Sequence, residues 1–160
     1  MADQNIIGGR ELQQFLSSLP AKVEKNIMRS ALRAGAAVYR EEIKANMPVD
    51  SGALRRSVKV SAKAKGGMVT AYVRIGDKNA WYAQMVEFGT RPHKITPKDA
   101  KALRLAGYVV ADVDHPGSRP QPFARPAFDA KSSDAIAAVA AQVRKRLTAE
   151  GIDVPAPEGL

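Results

Sequence analysis

The spacing of apolar residues divides the chain into helical and strand-like stretches. Leu12, Phe15, Leu16 and Leu19 recur at helical intervals after a Gly pair, and Pro20 breaks that helix or opens the next one. From Ala21 to about Asn46 the pattern is strongly helical. Val23, Ile27, Ala31, Ala34, Val38 and Ile43 fall on one side, and Lys22, Lys25, Arg29, Arg33, Arg40 and Lys44 lie largely elsewhere. At about 1.5 Å per residue such a helix is roughly 35–40 Å long. Its centre, "ALRAGAAV", consists of small residues and allows another backbone to approach closely. The helix stops near Met47, because Pro48 restricts the residue before it.

In "PVDSGALRRS", Asp50 or Ser51 can accept from free backbone N–H groups and cap a short turn of helix. Gly52 permits a tight reversal. Leu54 is placed to plug the core while Arg55 and Arg56 point outward. "SVKVSAKA" alternates Val58, Val60 and Ala62 with Lys59, Ser61 and Lys63; "MVTAYVRI" alternates again after the turn signal "KGG". The two runs predict an antiparallel hairpin. "AWYAQMVEFG" predicts a short helix whose apolar face holds Trp81 or Tyr82, Met85 and Phe88, with Gly89 as its stop.

Between Thr90 and Pro122 the chain reads as an extended arm. "RPHKITP" is extended, "KALRLAGYVVADV" suits a hairpin turning near Ala106–Gly107, and "DHPGSRPQP" is a loop. "RPAFDAKSSDAIAAVAAQVRKRL" predicts one final helix, with Pro126 in its first turn and Phe128, Ile136, Val139, Val143 and Leu147 as its apolar stripe. These elements imply an α+β fold: a small antiparallel β-sheet packed against a long N-terminal helix and a C-terminal helix, with an extended hairpin arm. The expected organisation is a flexible start over residues 1–9, a single domain over 10–148 that includes the arm at 90–122, and a flexible tail over 149–160.

Composition narrows the function classes. A chain of 160 residues suits one domain with a real core. Cysteine is absent, which excludes a disulfide framework, a thiolate metal site and a Cys nucleophile. No apolar run approaches the roughly 20 residues needed to span a bilayer. The N-terminus lacks the basic start and apolar core of a secretory signal, so a cytoplasmic site of synthesis is expected. The net charge of +9 favours encounter with polyanions: nucleic acid, membrane or an acidic protein surface. That charge is spread along the chain rather than held in one block, and a solvated face is the ordinary explanation of any single cluster.

Candidate chemistry is sparse. There is no Walker loop and no GxGxxG fingerprint, so no nucleotide cofactor is expected. His93 and His115 flank the predicted hairpin, and a His–His–Glu87 metal site is conceivable, but HxxxH or HxxE spacing is missing. Asp112 and Asp114 beside His115 fit a capped turn as well as an acid/base group. Neither Ser51 nor Ser57 lies in a GxSxG elbow. Nor does the chain carry helix-turn-helix spacing, a zinc finger or an RNP-type aromatic motif. Phosphate attraction needs no motif, so a basic surface that merely passes DNA stays open.

The landmarks nevertheless follow a distinctive order: a long helix, "PVDSGALRRS", a hairpin, "YAQMVEFGTRP", "HPGSRPQPFARPAF" and a C-terminal helix. This order resembles the neck or tail-completion family of long-tailed bacteriophages, the small virion morphogenesis and minor tail proteins of lambdoid and related prophages. The resemblance runs from Val23 to Leu147. Pro48, Gly52, Leu54, Arg55 and Ser57 carry it, then Tyr82, Val86, Glu87, Phe88 and Gly89, then Pro122, Phe123, Arg125, Pro126 and Ala127.

The resemblance implies a structural role without catalysis or cofactor, in the virion, after assembly in the host cytoplasm. It implies a homo-oligomeric ring whose partners are tail-tube, tail-terminator or head-connector proteins, with non-specific DNA contact in the channel and no membrane. In shorter members the Glu-Phe-Gly and Pro-Phe-Arg-Pro elements lie closer together, so the arm from Arg91 past His115 stands out as an interaction element. Glu87 itself reads as a joint: the end of a core-anchored helix, ion-paired to Arg91, Arg125 or one of Arg55 and Arg56. The alternatives are a basic nucleic-acid-binding protein and a hydrolase or metal enzyme using Glu87, His93 and His115.

Overall fold

The computed structural model describes residues 14, 17, 21–98, 102–105 and 107–151. The helix expected over Leu12–Leu19 lies outside these residues, except that Gln14 and Ser17 are helical. Residues 1–9 and the tail beyond Gly151 lie outside them as well.

The fold is α+β, with a long N-terminal helix, C-terminal helices and small antiparallel sheets. Helix α1 spans Ala21–Asn46 and stops short of Pro48, where the pattern predicts. Ile27, Ala31 and Ile43 are fully buried, while Lys25, Arg29 and Arg33 on the other side are exposed. Gly52 adopts a left-handed φ of 73° and admits the short helix α2, Ala53–Ser57. Strands β1 (Lys59–Lys65) and β2 (Met68–Arg74) pair from Lys59↔Arg74 to Lys65↔Met68. Gly66 and Gly67, at φ 57° and 79°, form the two-residue turn between them. Two successive positive φ angles match the right-handed twist of the strands, and glycine reaches them without strain.

Helix α3 (Ala83–Phe88) leads into the arm. There β3 (His93–Ile95) pairs with β6 (Val113–His115), and β4 (Leu103–Leu105) pairs with β5 (Tyr108–Val110). Among the described residues each ladder is a separate two-stranded sheet. The single final helix predicted from sequence is instead two: α4, Ala124–Ala130, and α5, Ser132–Ala149. Lys131, at φ −112° and ψ 15°, breaks the helix between them. The break resets the helical phase. Ala135, Val143 and Leu147 are buried on α5, whereas Phe128 and Ile136, expected in the stripe, are 44% and 42% exposed.

The chain forms two compact units. The first comprises Met1–Glu42, Lys59–Arg74 and Ala130–Leu160. In it α1 meets α5 through Ile27, Ala31, Val143 and Leu147, flanked by Val23 and Val139. The small-residue centre of α1 explains how closely they meet. A Cβ on Gly35 would stand 2.7 Å from Val139 Cγ2 and 3.0 Å from the Ala135 carbonyl oxygen. One turn earlier, Gln142 Nε2 donates to Ser30 Oγ at 2.7 Å and adds a directional contact to the apolar seam.

The second unit comprises Ile43–Val58 and Ile75–Asp129. Ser57 is a hub within it. Its buried hydroxyl donates to the Leu54 carbonyl at 2.6 Å and accepts the Gly76 N–H at 3.0 Å. One side chain thus ties the end of α2 to the point where the chain has left β2, and no polar atom of that hydroxyl is wasted.

The packing at Gly35 yields a prediction. Gly35→Val forces a branched side chain into the seam and costs about 2–3 kcal/mol, as overpacking of a close-packed site does. Val139→Ala in the same chain restores part of that loss. Chemical denaturation of the single and double variants measures both, and additive losses would contradict the contact.

Candidate functional site

The residues singled out from sequence converge on α3 and its surroundings in the second unit, but not in the predicted way. Trp81 or Tyr82, with Met85 and Phe88, is the apolar face the sequence predicts for α3, and of these Tyr82 is half-buried while Trp81, Met85 and Phe88 lie outward. The last three are 69%, 44% and 64% exposed. The buried side of this short helix carries Ala83 and Glu87, next to fully buried Ala80, with Val86 and Tyr82 half-buried. The apolar face was legible as a stripe; that it faces outward was not.

Glu87 is 8% exposed, and it meets backbone N–H groups rather than an arginine side chain. Its Oε2 accepts the backbone N–H groups of Phe123 at 2.8 Å and Ala124 at 3.0 Å, and its Oε1 accepts that of Arg125 at 3.3 Å. These donors belong to the start of α4, where helical N–H groups lack intrahelical acceptors. Glu87 therefore caps a helix that begins 37 residues downstream of it. Negative charge at this end also complements the helix dipole.

Arg125 contributes its charge but forms no ion pair with Glu87 within 4.0 Å, and its side chain is exposed. Arg91 is exposed too, and Arg56 Nη2 donates to the Ser51 carbonyl at 3.2 Å. Arg55 is half-buried, its Nε enclosed without a partner among the described residues. The expected salt bridge is thus replaced by backbone donors, which sit closer and need no long side chain to be ordered.

The electrostatics follow from this geometry. Burial raises the Glu87 pKa and is the largest single effect. The hydrogen bonds from Ala124, Phe123 and Arg125, with the Arg125 charge, together outweigh it and hold the carboxyl below its ordinary value.

Around this cap the chain is drawn tight. Gln121 N–H donates to the Val86 carbonyl at 2.8 Å, and Thr90 and Ser118 exchange two backbone bonds at 3.0 and 3.1 Å. Gly89, at φ 70°, does more than stop α3. A Cβ there would fall 2.5 Å from the Ser118 oxygen and 2.9 Å from the Pro120 nitrogen. Gly117 (φ 85°) is similarly enclosed: a Cβ would collide with the Thr90 carbonyl. Two of the motifs read from sequence also share a surface. Pro48, Ser51 and Leu54 line an open cleft of about 310 Å³ together with Tyr82, Val86 and Gln121.

The rest of the predicted set is distributed outside the cap. Phe123 is 1% exposed and anchors the start of α4, while Pro122 and Pro126 are exposed, Pro126 in the first turn. His93 and His115 are cross-strand partners at the base of the arm, with ring centroids 5.0 Å apart. The His93 Nδ1 is 2.9 Å from the Arg91 carbonyl, and the His115 Nδ1 accepts the Gly117 N–H at 3.0 Å. Lys94 pairs with Asp112 at 3.3 Å and lies 4.0 Å from Asp114. Among the described residues no group of three His, Asp or Glu side chains is placed to hold a metal ion, so the conceivable His–His–Glu87 site is not assembled.

Sequence reasoning missed the capping role of Glu87, yet it left a signal. "QPF" precedes the first turn of α4 and offers none of the Ser, Thr, Asp or Asn side chains that usually cap a helix. Those N–H groups had to be met from elsewhere in the chain.

Two tests follow. Glu87→Ala leaves the α4 donors unmet and costs about 2–3 kcal/mol. Arg125→Ala keeps its backbone donor and costs under about 1 kcal/mol. Equal losses in denaturant titrations would restore the ion-pair reading. Because the folded pKa is depressed, the stability from Glu87 is fully present above the ordinary carboxylate pKa and is lost as pH falls through the lower folded value. Glu87→Gln removes that titration, so the difference in stability between parent and variant shrinks on acidification below about pH 4.5 and is constant above about pH 6.

Residues 10–89 match the family described as "Bacteriophage HK97-gp10, putative tail-component", which is half of the chain. No curated protein and no solved structure matches. The match includes "PVDSGALRRS" and ends at Gly89, so the arm and the α4 start that holds Glu87 lie beyond it. Among the described residues no helix is long and apolar enough to cross a membrane. The chain belongs to the HK97-gp10-like family of bacteriophage tail components, structural proteins of the virion.

Proposed function

We propose that this tail component is a ring-forming subunit at the neck end of the tail, where it completes the tail and supports head–tail joining. Its work is packing rather than turnover. The observation that carries this reading is a pair of distinct apolar surfaces on the second unit. One is the exposed pair Met85 and Phe88 on α3 with Trp81 just before it. The other is the far turn of the arm, where Tyr108 and Val109 are 75% and 66% exposed. Large apolar side chains left exposed near one another are candidates for interaction surfaces. Two different surfaces on one chain suit a heterologous, head-to-tail contact, and such contacts close into rings when the rotation allows.

In this reading the arm of one subunit reaches the α3 stripe of its neighbour. The Glu87 cap, Gly89 and the Thr90–Ser118 bridge hold the base of the arm at a fixed angle to that stripe. The cleft shared by Pro48, Leu54 and Tyr82 is available to tail-tube, terminator or head-connector proteins. Arg91 and His115, at the arm's base, belong to the same assembly surface.

Deleting Lys94–Gly117 keeps Thr90 and Ser118 and gives a chain that melts cooperatively but stays monomeric where the parent forms rings. Trp81→Ser with Phe88→Ser gives the same outcome from the opposite surface. Light scattering after size exclusion and negative-stain imaging read both. Rings of unchanged size in either variant would refute the arm-to-stripe contact.

A further inference from the structure

A separate feature on the first unit points to a ligand. Asn26, Arg29, Ser30 and Arg33 from α1 and Arg146 from α5 line an open pocket of about 320 Å³. No lining residue is acidic. Arg29 and Arg33 are exposed, four residues apart on one helical face, and no carboxylate among the described residues lies within 4.0 Å of either. Arg146 reaches Glu150 with one Nη at 3.5 Å, while its Nε is enclosed with no partner among the described residues. The Ser30 hydroxyl accepts from Gln142, which leaves its own hydrogen to donate.

We propose that this pocket is a binding site for the phosphodiester backbone of DNA. The lining offers three guanidinium forks, an amide and a hydroxyl, all able to donate to anionic oxygens. A lone carboxylate is satisfied by one bidentate fork, and with Arg146 already reaching Glu150 it would leave one of the two exposed arginines unused. A polyanion with successive charges uses them all. Two further exposed cations adjoin these residues in sequence, Lys25 one turn before Arg29 and Lys145 next to Arg146. Such a surface recognises phosphate without reading sequence, in keeping with the lack of any base-reading motif. The site is independent of ring formation, since one chain supplies every lining residue.

The test uses the full chain and a fluorescently labelled duplex of about 20 base pairs and arbitrary sequence, titrated by anisotropy between about 50 and 200 mM salt. The parent binds, with log affinity falling linearly against log salt. Arg29→Gln with Arg33→Gln weakens binding at least about tenfold at the lowest salt and reduces the salt slope by about 2, the loss expected for two phosphate contacts. Lys59→Gln with Lys63→Gln removes the same charge from exposed positions on β1 and weakens binding less than about threefold, since those residues do not line the pocket. Thermal melts matching the parent show that the variants are folded. Three results would each overturn the proposal: no binding by the parent, equal weakening by the two double variants, or displacement of the duplex by polyglutamate as effective as by unlabelled DNA.

Discussion

A carboxylate taken out of water is costly unless donors meet its charge, and Glu87 meets that requirement with three backbone N–H groups rather than with a side chain. The second unit is organised by this one contact. It fixes α3 to α4 across the whole length of the arm. It satisfies helix-start donors for which the local sequence supplies no cap. Phe123, whose N–H reaches Oε2, is itself buried, as is Ala127 in the first turn of α4. The exposed stripe on α3 is a consequence. A six-residue helix that turns Ala83 and Glu87 inward turns Met85 and Phe88 outward.

The arm departs from the same joint and is held there by close backbone contacts rather than by a large apolar core. Gly89 and Gly117 sit where any Cβ would strike the opposing chain, and the Thr90–Ser118 bridge closes the base. Beyond it, short ladders carry the chain out to Tyr108 and Val109 and back. Chain that costs conformational entropy to order and buries so little of its apolar surface gains little within one subunit. In the ring proposed above, contact with a neighbouring subunit would offset that cost.

The first unit follows a different rule. There the long helix meets α5 along an apolar seam that narrows at Gly35, so side-chain volume sets the contact and the Gln142–Ser30 hydrogen bond adds to it. The arginines of the same two helices remain outside the seam and surround a pocket of donors. One pair of helices thus supplies both a rigid core and a basic surface, because the 3.6-residue period separates the two sets of positions.

The sequence by itself determined the elements that depend on local periodicity. The extent of α1, the β1–β2 hairpin with its Gly66–Gly67 turn, the turn near Gly107 and the burial of Leu54 all follow from spacing and backbone freedom, which act over a few residues. The order and spacing of the Pro48–Ser57, Tyr82–Gly89 and Pro122–Ala127 motifs, taken together, also pointed to a phage tail family. Tertiary structure alone decided which face of α3 is buried, that the last helix breaks at Lys131, and what Glu87 touches. The reason is range. An ion pair with a nearby arginine is the partner that local sequence suggests, but the acceptors and donors of a folded chain are matched over distances the pattern does not encode. Here the unmet N–H groups of α4 competed for the carboxylate and won.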